Sequence, residues 1–359
     1  MSLTRPLLAS LLALTLLAQQ DRSDQVFRAT VNVVVVPVTV TDRSGNYVSG
    51  LQPKDFVLYD NSKQQNIKVD VTFIPISLVV VVQANAASEG LLPKIAKIHS
   101  QLGPQVVGDD GEVALVAFDH RIDVLQDFTS DSGNLAKAFQ KLLRAGSQTS
   151  RLNDAVRQAI RMLSMRPENH RRVILLIGET RDNGSESKAR DVLIDAQVQN
   201  VLIQSVDMSH WLTLLTGRAP TPRPDPMPPA ARPVPAGVPP TPEAAWQTTG
   251  GQGTSANFIP LFVEIFKQVK GIFIDNPLEV YTQYTGGREY SFKTQNGLEG
   301  AISRIGEELH NQYIVSYTPN NKVEGGFHEI KVEIVRNGRP RNDCRILNRA
   351  GYWMAAAPE

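Results

Sequence analysis

The stretch Val79–Ser88, VVVVQANAAS, decides the fold. Four consecutive valines show no polar alternation, so the strand they form is buried on both faces. The apolar run then stops at a short polar tip, Gln83 to Ser88. A strand of this kind belongs to a parallel sheet covered by helices, and such sheets place their ligands where strands run out into loops. The tip therefore has the position of a site, although it carries no carboxylate, histidine or cysteine.

Outward from this strand (Ser77–Val82), strand and helix patterns alternate. A helix is expected near Leu91–Leu102, with Leu91, Ile95, Ile98 and Leu102 on one face. GEVALVAF (Gly111–Phe118) reads as a strand and HRIDVLQDFTSD as a short edge strand. LAKAFQKLL and DAVRQAIRML read as helices, RRVILLIG as a strand, ESKARDVLIDAQVQ as a helix and NVLIQSVD as a strand. This alternation predicts an α/β fold with a mainly parallel sheet and helices on both faces. Ala219–Glu243 then holds 11 of the 23 prolines, and TTGGQGTSAN follows. Residues 219–255 are expected to be a disordered insertion on a loop. Helices at Phe258–Val269 and Pro277–Tyr284, a strand in GGREYSF and a helix in GLEGAISRIGEEL resume the pattern.

Both ends read as β. VNVVVVPVTVTD, DFVLYDN and QNIKVDVTFIP precede the α/β region, and QYIVSYTP, GGFHEIKVEIVRNG and CRILNRAGYW follow it. The economical arrangement is one discontinuous, sandwich-like β domain, residues 26–74 with 312–354, flanking an α/β domain over 75–311.

Composition narrows the function. The chain has 359 residues, 42% of them hydrophobic and 20% charged, with a formal net charge of +1. That is an ordinary globular balance, and no basic run marks a nucleic-acid surface. Residues 1–18 read as a signal peptide: Arg5, the apolar run Leu7–Leu17, and Ala18 at the cleavage point. The run is shorter than the roughly 20 residues that span a bilayer. Export to the periplasm or the exterior is expected, with no membrane span after cleavage; the alternative is a retained anchor. The single cysteine, Cys344, leaves no internal disulfide.

Catalytic signatures are missing. There is no Walker A loop, G-x-S-x-G elbow or dinucleotide fingerprint, and no two of the six histidines have metal-ligand spacing. Asp119-His120 lacks an accompanying nucleophile. Asp182-Asn183-Gly184-Ser185 reads as a turn leading to a helix, and GDDGE (Gly108–Glu112) lacks the length of a calcium loop.

Five strings in order, VTVTDRSGNYVSGLQPKDFVLYD, VALVAFDHRIDVLQDFTSD, LLIGETRDNGS, YTGGREYSF and QYIVSYTP…GGFHEIKVEI, resemble the von Willebrand factor A-related domain family typical of Acidobacteria. The resemblance covers about residues 25–353 and implies an exported protein with a Rossmann-like A-type domain and no assigned activity. It also implies a metal-ion-dependent adhesion site at the tip. There Asp-x-Ser-x-Ser, a Thr and a later Asp hold Mg²⁺, whose open position takes a partner's carboxylate. This chain departs from that pattern. The first motif falls on Gln83, Asn85 and Ala87, the Thr position on Ser150, and the later Asp on Glu179. One carboxylate stands where two are usual, and neutral amides offset none of the cation's charge. The resemblance therefore implies a degenerate site and no cofactor, weak Mg²⁺ binding being the alternative. The expected function is an exported, non-enzymatic protein–protein interaction module whose partner is an unknown extracytoplasmic protein. The alternative is a metal-dependent binder or extracytoplasmic hydrolase with an unrecognised site.

Overall fold

In a computed structural model, the described residues are 33–70, 74–143, 146–216, 277–321, 326–336 and 338–354. The expected signal peptide 1–18, the proline-rich segment 219–255 and the expected helix Phe258–Val269 lie outside them. Strands β1 (Val34–Asp42), β2 (Phe56–Asp60), β3 (Lys63–Gln64) and β4 (Ile67–Asp70) come first. Then follow β5 (Ile76–Gln83), helical turns over residues 89–107, β6 (Glu112–Phe118), β7 (Ile122–Thr129), α1 (Ser132–Gln140) and α2 (Leu152–Ser164). Next are β8 (Arg171–Gly178), α3 (Ala189–Val198), β9 (Val201–Asp207), α4 (Ser209–Thr216), α5 (Pro277–Thr285), β10 (Glu289–Ser291) and α6 (Gln295–Asn311). The chain closes on β11 (Tyr313–Tyr317), β12 (Gly326–Arg336), β13 (Arg339–Pro340), β14 (Cys344–Asn348) and β15 (Gly351–Met354).

The valine run behaves as its composition requires. Every residue of β5 is buried. The strand lies inside a six-stranded sheet of order β10-β9-β8-β5-β6-β7, parallel except for β7. Successive side chains point to opposite faces of a strand, and each face has its own core. Leu78, Val80 and Val82 pack with Ile95, Ile98, Leu298 and Ile302. Val79 and Val81 pack with Val156, Ile160, Leu193 and Tyr281. The expected helix over Leu91–Leu102 departs from regularity: short 3-10 and α turns give way to a π turn over Leu102–Val107. Pro104 has no N–H to donate, and its ring crowds the carbonyl four residues back, which a wider turn relieves. The apolar stripe survives, with Leu91, Ile95, Ile98 and Leu102 all buried. α6 approaches this segment closely, because Gly306 faces the Gln105 carbonyl where any Cβ would collide.

The outer strands form two smaller sheets, β14-β1-β11-β4 and β13-β12-β2-β3, with β15 on β12. One apolar cluster joins them: Val36 and Val38 of β1, Phe56 and Leu58 of β2, Val315 of β11, Ile330 and Val332 of β12. At its centre is a buried carboxylate, Asp60. It accepts hydrogen bonds from Tyr317 and Tyr352 (both 2.8 Å), from Asn321 (3.0 Å) and from the His328 ring (Nδ1, 2.7 Å). This β unit meets the amino-terminal ends of the parallel strands. Val35 N–H donates to Asn200 Oδ1 (3.2 Å), and Arg171 donates to the Leu309 carbonyl and to Gln312. Buried Glu308 of α6 accepts from Thr39 (3.2 Å) and Tyr290 (2.7 Å), with Arg288 Nε 3.2 Å away. Among the described residues no helix is long and apolar enough to cross a membrane.

Burial alone would raise the Asp60 pKa, but the His328, Asn321 and tyrosine hydrogen bonds outweigh it and hold the carboxyl below its usual range. A depressed native pKa adds stability above the unfolded value of about 3.9, and that stability is lost as pH falls through the native value. Asp60→Ala strands several buried donors and should cost about 3–5 kcal/mol at neutral pH. Urea unfolding checks both points: the penalty of the variant should shrink as the pH is taken down through the carboxylate range.

Candidate functional site

At the carboxyl-terminal ends of β5 and β8 the chain leaves the sheet through two loops, and Gln83 joins them. Its side chain is fully buried. Its Oε1 accepts the backbone N–H of Glu179 at 2.7 Å, and its Nε2 donates to the Glu179 carboxylate at 3.3 Å. The backbone donor fixes the orientation of the amide: oxygen must face the N–H, so nitrogen faces the carboxylate. Both heteroatoms of Gln83 are thereby committed, and the one carboxylate of the expected set is met by a neutral amide.

The rest of the tip is turned inward. Asn85 is buried, and its side-chain oxygen accepts from Ser88 N–H at 3.2 Å. The Ser88 hydroxyl donates to the carbonyls of Gln83 (2.8 Å) and Asn85 (2.9 Å). Ala87 is exposed and supplies no donor atom from its side chain. Ala86 N–H donates to the Ser147 carbonyl at 2.8 Å. Gly146 presses on the Ala84 carbonyl and Asn85 Cα, where a Cβ has no room.

Ser150 is buried and belongs to a second network. Its N–H donates to Asn183 Oδ1 at 2.6 Å, and its hydroxyl to the Arg181 carbonyl at 3.3 Å. Asp182 then caps α2, accepting from Leu152 N–H (3.1 Å) and Asn153 Nδ2 (2.5 Å). The 181–187 loop is thus tied to the helix start rather than to Gln83. Burial pushes the Asp182 carboxyl up, ahead of its hydrogen bonds. Of the expected set, then, Gln83 and Glu179 meet directly, while Asn85 and Ser150 serve their own loops.

Asp119, named in the sequence beside His120, connects two loops. Its carboxylate accepts Arg121 N–H (2.7 Å) and Ser147 N–H (3.0 Å), and His120 Nδ1 lies 2.9 Å away. Burial would raise its pKa, but the Ser147 and Arg121 N–H groups and His120 outweigh it and leave the carboxyl lowered. With these three partners, Asp119 is a brace between loops. Its position directly after a strand was the visible signal; the partner at Ser147 was not.

As a donor set for Mg²⁺ the tip does not fit. One carboxylate is present, Gln83 turns a donor toward it, and the oxygens of Asn85 and Gln83 already accept N–H groups. Mg²⁺ requires several oxygen ligands in near-octahedral array. Among the described residues no group of three His, Cys, Asp or Glu side chains could hold a metal.

Gln83→Ala leaves the Glu179 N–H without its acceptor and should cost about 1–3 kcal/mol. Gln83→Glu sets a second carboxylate against Glu179. Like charges disfavour joint ionisation and raise one pKa, so this variant should lose most stability at neutral pH and regain it on acidification. Chemical denaturation at neutral and mildly acidic pH measures both. Equal penalties for Gln83→Glu at the two pH values would contradict the clamp.

The family model for the von Willebrand factor type A domain matches residues 90–180. The match opens just after the tip and includes Ser150 and Glu179. No curated protein matches the sequence. Among solved structures, a conserved hypothetical protein BatB of Bacteroides thetaiotaomicron is 14% identical, with a TM-score of 0.29, over 37% of this chain and 66% of that one. The von Willebrand factor domain of the type V pili tip protein Mfa5 of Porphyromonas gingivalis is 16% identical, with a TM-score of 0.26, over 30% and 38%. An aerotolerance-related membrane protein of Bacteroides fragilis NCTC 9343 is 12% identical, with a TM-score of 0.38, over 65% and 99%. The chain therefore spans less than two thirds of the first two structures. Residues 90–180 match a von Willebrand factor type A domain, and the six-stranded sheet that contains them has the α/β architecture of that type.

Proposed function

We propose that the protein is an exported, non-enzymatic protein–protein interaction module of von Willebrand factor A type that works without a metal. The observation that carries this reading is the Gln83–Glu179 clamp: a carboxamide bonded through both its heteroatoms occupies the place where the family pattern puts a cation-binding carboxylate. The A-type domain is 75–311, carried on a discontinuous, sandwich-like β domain built from 26–74 and 312–354. The order of the quoted strings supports the Acidobacteria-type branch of the family, and residues 1–18 support export. The β unit is bonded to the amino-terminal ends of the parallel strands, which leaves the tip at the opposite end of the sheet for a partner. The Ser88 and Ser150 hydroxyls donate to backbone carbonyls, so neither is poised as a nucleophile. Recognition runs through hydrogen bonds and shape, with an extracytoplasmic protein as partner.

Millimolar Mg²⁺ should leave the melting temperature unchanged; a ligand at 100 times its dissociation constant would add about 2.7 kcal/mol. The triple variant Gln83→Asp, Asn85→Ser, Ala87→Ser restores the family's first motif and should gain Mg²⁺-dependent stabilisation. Capture of a partner from envelope extract by the parent protein should persist in EDTA. A Mg²⁺ shift in the parent, or capture abolished by EDTA, would overturn the metal-free reading.

A further inference from the structure

One end of the β unit carries charge of a single excess sign. The turns after β1 and β12 come together there: Asp42 lies opposite Cys344, and Arg43 donates to the Asn342 carbonyl at 3.4 Å. Residues 53–55 pack against β12 beside them. Residues 42–46, 53–55 and 336–345 together hold six Arg and Lys side chains and three carboxylates, Asp42, Asp55 and Asp343. Every carboxylate is counted, whether or not it accepts a hydrogen bond. This face therefore carries +3, where the whole chain carries +1. An excess of that size in so few residues sets up a positive local field.

Within the face two arginines stand directly against each other. Arg336 of β12 is the cross-strand partner of Arg339 of β13. Gly338, at φ 74°, sits in the turn between them. Side chains paired in this way start about 5 Å apart on one face of the ladder. Both arginines are exposed, and neither side chain has a hydrogen bond or ion pair among the described residues. Arg345, opposite Thr41 on the neighbouring sheet, is exposed and unpaired as well. Of the six cations only Arg341 pairs with a carboxylate among the described residues, Asp343 at 2.7 Å. Like charges directly opposite one another weaken a ladder, and β13 is only two residues long. Two guanidinium forks on one face, with no carboxylate bonded to either, suit a tetrahedral oxyanion. Each fork can give two parallel N–H bonds to phosphate oxygens, and the bound anion removes the repulsion.

We propose that this face docks the protein on a bilayer of anionic phospholipid, with Arg336 and Arg339 clasping a headgroup phosphate. Arg43, Lys54 and Arg345 add to the attraction, as basic side chains near such a surface do. The proposal rests on the export reading for the source of the phosphate, since an exported chain meets lipid headgroups. It is separate from the tip. The β unit is bonded to the amino-terminal ends of the parallel strands, so a protein docked through it leaves the tip uncovered.

Co-sedimentation of the full chain tests the face. Vesicles of equal parts phosphatidylglycerol and phosphatidylcholine are compared with vesicles of phosphatidylcholine alone. The apolar run Leu7–Leu17 enters both kinds alike, so the difference between them is the readout. The anionic vesicles should bind the protein, and more weakly as salt is added. Arg336→Glu with Arg339→Glu should lower that binding roughly tenfold or more. Arg336→Lys with Arg339→Lys keeps the charge but removes the forks, and should lose binding several-fold. Arg339→Glu alone sets opposite charges across the ladder. It should raise the melting temperature while lowering vesicle binding, which separates docking from folding. Millimolar inorganic phosphate, matched against chloride at equal ionic strength, should leave vesicle binding in place. Equal binding to the two vesicle types, indifference to charge reversal, or a lysine variant that binds as well as the parent would overturn the proposal. So would displacement by millimolar phosphate, or tighter binding of a DNA duplex than of the anionic vesicles. Loss of vesicle binding with partner capture in EDTA retained would overturn the docking face and leave the interaction module standing. A cytoplasmic location with vesicle binding intact would count against export and not against the face.

Discussion

The burial of β5 on both faces and along both edges is the constraint on which everything else depends. A strand with no exposed side requires a partner on each edge, here β8 and β6, and a helical layer on each face. Polar atoms can enter such a strand only at its ends. At the amino-terminal end Ser77 finds His170, 3.0 Å from its hydroxyl. At the carboxyl-terminal end Gln83 finds Glu179. The location of the tip, the separation of the two cores and the attachment of the β unit at the far end all follow from one apolar run needing complete cover.

Much of this was legible in the residues. Four β-branched or apolar strands with helices between them specify a parallel sheet, because no other arrangement hides so many apolar runs. The place of the tip was legible too, since strand ends are where such sheets turn polar. The bonding inside the tip was not. Gln83 and Glu179 are 96 residues apart, and nothing local distinguishes a glutamine that clamps a neighbouring loop from one that faces solvent. Asp60 was equally silent. It ends a strand in the string YDN, where an aspartate reads as a turn residue, and indeed Asn61 and Ser62 take positive φ. Only the return of β11, β12 and β15 from more than 250 positions away makes it a buried hub. The π turn over Leu102–Val107 had a signal in Gly103-Pro104, but periodicity ahead of it favoured a regular helix.

The two ends of the parallel sheet have opposite characters. The amino-terminal end is occupied by buried, directional contacts: Glu308 with Thr39 and Tyr290, Arg171 with Leu309, Gln197 with the Tyr284 and Gly351 carbonyls. Polar groups bonded across a packed boundary fix its geometry, because any sliding leaves them unpaired. The carboxyl-terminal end carries the tip, whose polar side chains bond within and between its own loops. One end holds the chain's own β unit, the other carries the tip, and the sheet keeps the two apart.

The pairing of β1 with β14 gives the molecule a mechanical character. Five residues of each strand face one another, from Val38 opposite Asn348 to Asp42 opposite Cys344. Between them in the chain lie the whole parallel sheet and its helices, yet in space the strands are neighbours. Tension applied to the polypeptide on either side of residues 34–354 therefore loads the β1–β11 and β1–β14 ladders at one end and the β15–β12 ladder at the other. The α/β domain hangs beside that load path as a slack loop. A tether pulled at both ends would strain the β unit first, and the tip would keep its shape until these ladders tear.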